Sequence, residues 1–357
     1  MANLKSLVLE PEITENFHPN DLGKIMHLPY NPAGQMSTQA MALRNIGVPT
    51  SFCSYATSRY KYPTDIPSPV SKIPINKREN VMIQFAKENA KNFDILHFHG
   101  GQTFTGFLNS DLNFLKSNGN KMIMTYWGSE ARRLSIAKQK NPYAIVKIQD
   151  EKLLLQRLKK VSQYIDTVIV PDYEMLEYVY GYFKKIYIIG ISVDPLSISP
   201  IYPDVAKKKP IIIHAPSDRN IKGTEFINQA IENLKKTTDF EYIIVENMRN
   251  AQALELYKKA DIIIDQIRMG IYATFAIESM LLGKPVIAYI REDLKEKYPS
   301  DLPIISANPI TVEETLRELI HNSKLRHELG VKGRLYAEKY HNPERIARQL
   351  ITVYKDL

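Results

Sequence analysis

The chain has 357 residues, 44% hydrophobic and 24% charged, a composition that leaves no room for a collagenous, disordered or low-complexity reading. Single cores stop growing at roughly 250 to 300 residues, so this length predicts two domains. A lone cysteine, Cys53, excludes an internal disulfide and a multi-cysteine zinc site, and it fits a reducing compartment.

The longest apolar runs, such as 211–213 and 262–264, fall far short of a membrane span. Glu10, Glu12, Glu15 and Asp21 stand where a signal peptide would be basic or apolar, so a cytoplasmic protein is expected. The formal net charge of +8 directs attention to phosphate-bearing molecules, acidic lipid surfaces or nucleic acid. No nucleic-acid motif or stacking platform accompanies the charge, and no nucleic-acid partner is expected.

In chain order, short β-branched runs alternate with longer amphipathic stretches, the pattern of βαβ units on parallel sheets. Strands are predicted near 24–28, 50–53, 95–99, 121–126 and 167–171, with helices near 37–46, 78–91, 111–117 and 142–162. The stretch 190–210, with Pro195, Pro200, Pro203 and Pro210, reads as a linker. The pattern then restarts: strands at 210–215, 242–246, 261–265 and 285–290, helices at 224–236, 251–259 and 273–282, and a helical tail at 311–321, 323–340 and 343–356. The expected class is α/β with two Rossmann-like domains, 1–195 and 196–342, and a cleft between them where strand ends would line a ligand site.

Two stretches carry the chemistry. In the first, Ile211-Ile-Ile-His-Ala-Pro-Ser-Asp-Arg-Asn-Ile-Lys-Gly-Thr224, an apolar strand runs into a polar loop bearing Arg219, Lys222 and Gly223. An Arg fork and a Lys point charge suit a diphosphate; a basic loop in water is the alternative. In the second, Asp261 to Ile287, a strand ends in a loop with Gly270 and a helix starts near Ala273, a place for an anion. Glu278, among Phe275, Ile277, Met280 and Leu281, either takes ribose hydroxyls or faces solvent. Asp265 either orients the loop or ends its strand.

His97 and His99 share one strand face and could suit a metal, but with no third ligand nearby they read as a hydrogen-bonded pair. His99, before Gly100-Gly101, is also a cleft-lining candidate. The basic run 132–160 either rests on an anionic membrane or is a solvated helix.

The phrase His214-Ala-Pro-Ser-x-Arg-x-x-Lys-Gly-Thr224, followed by Ile277-Glu-Ser-Met-Leu-Leu-Gly-Lys-Pro-Val-Ile287, resembles the donor domain of GT-B glycosyltransferases of the large retaining group called family 4. Asp94–Gly100, Thr125–Arg133 and Pro32-Ala-Gly-Gln35 resemble that family's cleft-facing loops, and the helix from Pro343 resembles its segment crossing back to the first domain. The resemblance implies a diphosphate clamp of Arg219 and Lys222, a ribose ligand in Glu278, and phosphate contacts from the backbone of Tyr272, Ala273 and Thr274. It makes Arg219, Lys222 and Glu130 catalytic candidates, with Gly34, Gln35, His99, Trp127, Gly128, Gly223 and Gly270 as further donor-binding candidates.

Three positions depart from the family. Gly270 stands where the first of two glutamates is usual, Trp127 replaces the usual histidine with Glu130 as the nearby acid, and the Arg219-to-Lys222 spacing is short. The resemblance implies retaining transfer of a sugar from a UDP- or GDP-sugar to a glycan or lipid-linked acceptor, and, as no Asp-x-Asp occurs to signal a carboxylate-bound metal, the transfer is expected to be metal-independent. A peripheral membrane contact accompanies the lipid-linked option. The alternative is a weak or inactive nucleotide-binding scaffold subunit.

Overall fold

The computed structural model describes residues 4–55, 64–248 and 250–357. Strands β1 to β7 are Leu7–Leu9, Ile25–Leu28, Thr50–Phe52, Ile95–His99, Lys121–Thr125, Thr167–Val170 and Lys185–Ile188. Strands β8 to β12 are Ile211–His214, Glu241–Ile244, Ile262–Ile264, Val286–Ala288 and Ile305–Ser306. Helices α1 to α7 are Gln35–Asn45, Arg78–Ala90, Leu112–Ser117, Leu134–Ala137, Glu151–Ser162, Tyr173–Val179 and Arg219–Lys222. Helices α8 to α14 are Thr224–Leu234, Asn250–Lys259, Thr274–Leu281, Glu292–Lys295, Val312–His321, Ser323–Tyr340 and Pro343–Lys355.

The first unit comprises the described residues up to Arg133, 148–192 and 343–357; the second comprises 134–147 and 193–342. Each is built on a parallel sheet. The first runs β1-β7-β6-β5-β4-β2-β3 and the second β12-β11-β10-β8-β9. The α/β class and the two Rossmann-like domains are as the sequence predicts.

Helix α14 belongs to the first core because its apolar side chains recur on one face. Ile346, Ala347, Leu350, Ile351 and Tyr354 pack with Ile25, Ile95, Ile123 and Ile169, and each large side chain buried there contributes about 1.5 to 3 kcal/mol. In the second unit, Ile212, Ile262, Ile264 and Ile287 meet Ile227, Ile231, Leu316 and Leu319 from α8 and α12. On the other face α13 lies so close that a Cβ on Gly330 would stand 2.2 Å from the Gly283 carbonyl oxygen.

Several expectations are corrected. The single helix expected over 142–162 is interrupted: α5 starts only at Glu151, where Asp150 accepts a hydrogen bond from Leu153 N–H. Residues 134–147, expected in the first domain, join the second unit. There Asn141 Nδ2 donates to the Arg268 carbonyl at 2.7 Å and Arg268 Nε donates to the Tyr143 carbonyl at 3.0 Å.

Arg219 and Lys222 lie not on an open loop but on α7, capped by Asp218 and closed by Gly223 at φ +79°. The basic run is not uniformly solvated either. Arg132 is buried, donating from Nε and Nη2 to the two oxygens of Glu174, and Arg133 donates to the Tyr178 carbonyl.

Candidate functional site

Beyond the ends of β8 and β10, Lys222 of α7 meets the Asp265 carboxylate and its neighbour Gln266. Lys222 Nζ donates to Asp265 Oδ1 at 2.5 Å and to Gln266 Oε1 at 3.0 Å. The Lys222 side chain is 10% exposed and that of Asp265 is wholly buried. An ammonium carries three donors, so one remains after these two bonds. The other Asp265 oxygen, Oδ2, is buried without a hydrogen-bond partner among the described residues.

Glu278, one turn into α10, feels the same group. Burial first, and the Asp265 charge second, push its carboxyl up to about 7. Its half-buried placement departs from a fully solvent-facing position.

Helix α10 opens beside this cluster with no side-chain cap, Ala273 being extended at its N-terminus, so its first N–H groups are available to an anion. Tyr272 sends its side chain elsewhere: the hydroxyl lies 3.2 Å from that of Tyr336 and 3.1 Å from His341 Nε2. Only its backbone is left near Ala273 and Thr274. His214 Nδ1–H donates to the Ile264 carbonyl at 2.9 Å, while Nε2 accepts from the Thr224 hydroxyl at 2.8 Å. Burial lowers its pKa to about 4, so a neutral ring ties β8 to β10 and to the start of α8.

Arg219 is not brought to this group. Its guanidinium, 58% exposed, pairs with Glu246, so the two cations of the expected clamp point at different carboxylates. Gly223 does allow a close approach, but the atoms that use it are Ile267 Cγ1, 2.7 Å from where a Cβ would be, and the stem of Arg268. Gly270, at φ +83°, accepts from Arg291 N–H through its carbonyl, and the Arg291 side chain covers it. Arg291, which the sequence reading did not single out, is buried and pairs with Asp293 through two bonds of 2.7 Å.

In the first unit, Gly34 at φ +76° precedes α1, and the Gln35 side chain exchanges two 2.9 Å bonds with the Ser192 backbone. Glu130 is a loop clasp: its oxygens accept from the backbone N–H groups of Trp127 and, at 3.1 Å, Gly128. His99, expected to line open space, is wholly buried. The third imidazole missing from the sequence reading is His27: it, His97 and His99 place ring nitrogens within 4.8 Å of one another. His97 and His99 are stacked rather than bonded to each other. A cavity of about 670 Å³ lies nearby, its walls including Tyr30, Tyr55 and Phe104 with Arg78, Glu79 and Gln102.

No protein-family model matches the chain, and no curated protein matches its sequence. Solved structures do match its fold. A sucrose-phosphate synthase from Thermosynechococcus elongatus superposes with a TM-score of 0.69 at 15% identity, over 93% of this chain and 98% of that one. The architecture is that of a GT-B fold. Alr3699/HepE of Anabaena, solved in complex with UDP-glucose, matches with a TM-score of 0.63 at 10% identity, over 94% of this chain and 100% of its own. The catalytic domain of starch synthase IV from Arabidopsis thaliana, bound to ADP and acarbose, matches with a TM-score of 0.63 at 12% identity, over 94% and 99%. Among the described residues no helix is long and apolar enough to cross a membrane.

Proposed function

We propose that this protein is a glycosyltransferase that moves a sugar from a UDP- or GDP-sugar to a glycan or lipid-linked acceptor, with retention and without a metal. The observation that carries the reading is the Lys222, Asp265 and Glu278 cluster beside the uncapped start of α10. The GT-B fold shared with structures solved with UDP-glucose and with ADP supports it.

Departure of a diphosphate leaves negative charge on its terminal oxygens. The third Lys222 donor and the first N–H groups of α10 meet that charge where water is largely excluded, the kind of preorganised stabilisation that lowers a barrier. Asp265 holds the ammonium in place. Glu278 accepts the ribose hydroxyls. The cavity walled by Tyr30, Tyr55 and Phe104 offers apolar faces and polar edges to an acceptor.

Incubation with a panel of UDP- and GDP-sugars, followed by assay of donor hydrolysis and transfer, tests the reading. Absence of binding to every UDP and GDP species defeats it. A second reading, a nucleotide-binding subunit without turnover, is favoured by Arg291 closing over Gly270; binding without hydrolysis or transfer across the panel selects it.

A further inference from the structure

Six side chains of the first unit form one continuous hydrogen-bond path. Trp127 Nε1 lies 3.3 Å from His99 Nδ1, His99 Nε2 lies 3.0 Å from His27 Nδ1, and His27 Nε2 lies 3.1 Å from the Tyr354 hydroxyl. The same hydroxyl lies 2.7 Å from His97 Nδ1, and His97 Nε2 lies 2.6 Å from the Thr125 hydroxyl. All three imidazoles are fully buried, and every one of their six ring nitrogens has a partner in this path.

The path has a direction because one end is unambiguous. An indole N–H donates and cannot accept, so His99 Nδ1 must be the bare nitrogen and His99 Nε2 must carry the proton. A neutral imidazole has one of each. His99 Nε2–H therefore donates to His27 Nδ1, which leaves the proton of His27 on Nε2, donating to the Tyr354 oxygen. The Tyr354 O–H then donates to His97 Nδ1, and His97 Nε2–H donates to Thr125. One donor-only group sets three tautomers.

We propose that Trp127 locks His99, His27 and His97 in the Nε2–H form through this path, and that His99, His27 and Tyr354 in return are positioning residues that hold the Trp127 indole from α14. The arrangement links the last helix of the chain to a candidate donor-facing loop. The donor-facing role of that loop rests on the family resemblance together with the transferase reading; the path itself does not. Burial independently favours neutral rings, lowering the pKa of His27 to about 3 and those of His97 and His99 in the same direction.

A trio of imidazoles this close is also a metal-ligand set, but the ring geometry favours the path. Nitrogen lone pairs lie in the ring planes, and His97 and His99 are stacked with centroids 4.3 Å apart and planes 19° from parallel. Their lone pairs do not converge on one point.

The test is long-range ¹H–¹⁵N spectroscopy of the full chain with labelled histidine, without ligand, the buried rings assigned by single His→Gln variants. All three rings should have a bare Nδ1 and a protonated Nε2. Trp127→Phe removes the donor and should return His99 to a mixture of tautomers. Tyr354→Phe keeps the ring but lacks the hydroxyl; it should leave His97 Nδ1 without its donor and increase acrylamide quenching of Trp127, the sole tryptophan.

An Nδ1–H or doubly protonated ring among the three overturns the proposal. So does an unaltered His99 in Trp127→Phe, unchanged Trp127 quenching in Tyr354→Phe, or stoichiometric Zn²⁺ uptake that shifts all three rings. None of these readings uses a nucleotide sugar, so failure here is separate from failure of the transferase reading, which the donor panel decides.

Discussion

The Lys222 ammonium sits 2.5 Å from Asp265 Oδ1, and this buried pair joins residues 43 positions apart in the sequence. Its second carboxylate oxygen has no partner among the described residues, and its charge reaches Glu278. Asp265 is thus the hub of the candidate site, holding a cation on one side and raising a second carboxyl on the other.

Lys222→Met should therefore do two things. It leaves the Asp265 charge buried and unpaired, costing about 3 to 5 kcal/mol of stability, and it removes a charged donor from the diphosphate, worth about 1.5 to 3 kcal/mol of affinity. Adding Asp265→Asn should recover much of the stability without recovering UDP or GDP binding. Urea unfolding and calorimetry on the single and double variants separate the effects. Recovery of both by the double variant would mean that Lys222 serves the fold alone.

Arg219 gives the opposite pattern. It is exposed and held by Glu246, so Arg219→Ala should leave the melting temperature unchanged. If its guanidinium turns to the diphosphate, it must first leave Glu246, and Glu246→Gln should tighten UDP or GDP binding while Arg219→Ala weakens it. Calorimetric affinities that ignore both substitutions remove Arg219 from the clamp.

The sheets were legible because their strands are apolar on consecutive residues, as at Ile262–Ile264, where all three side chains are buried. β1, β7 and β12 were not: β1 and β12 are edge strands whose residues are exposed or only partly buried, and β7 opens on Lys185 as a run of only four residues. Among site residues, Lys222 and Glu278 stood out as charges within apolar or glycine-bearing stretches. The environment of Asp265 was hidden, because an acid ending a strand is ordinary until a distant lysine is folded onto it. His27 was hidden likewise: only the parallel pairing of β2 with β4, which sets His27 beside His97, brings it to the other two rings.

Arg132 and Glu174 make a third prediction, about the fold. Burial opposes the Arg132 charge, yet the Glu174 carboxylate more than offsets it and holds the guanidinium pKa above its usual range. Removing one partner strands the other, so Arg132→Met or Glu174→Gln should each destabilise by about 3 to 5 kcal/mol. The pair Arg132→Met with Glu174→Gln should cost less than the sum of the two single variants in chemical denaturation. Strict additivity would show that the two groups do not act together.

Glu278 links binding to pH. Its carboxyl ionises at about 7 rather than at the ordinary 4.5, so the folded protein holds a proton that the unfolded chain has released. Its contribution to stability therefore falls as pH rises from the ordinary value through about 7. Hydroxyl donors from a ribose favour the ionised carboxylate and draw its pKa back down. Below about 7 nucleotide binding should thus expel a proton, and affinity should climb with pH and level off above that point. Calorimetry of a UDP-sugar and a GDP-sugar, whose diphosphates are esterified at both ends and do not titrate near neutrality, at about pH 6.5 in buffers of different ionisation enthalpy reads the proton. Glu278→Gln should abolish both the release and this pH dependence while the fold persists. Equal apparent enthalpies in all buffers for the unsubstituted protein would place the ribose away from Glu278.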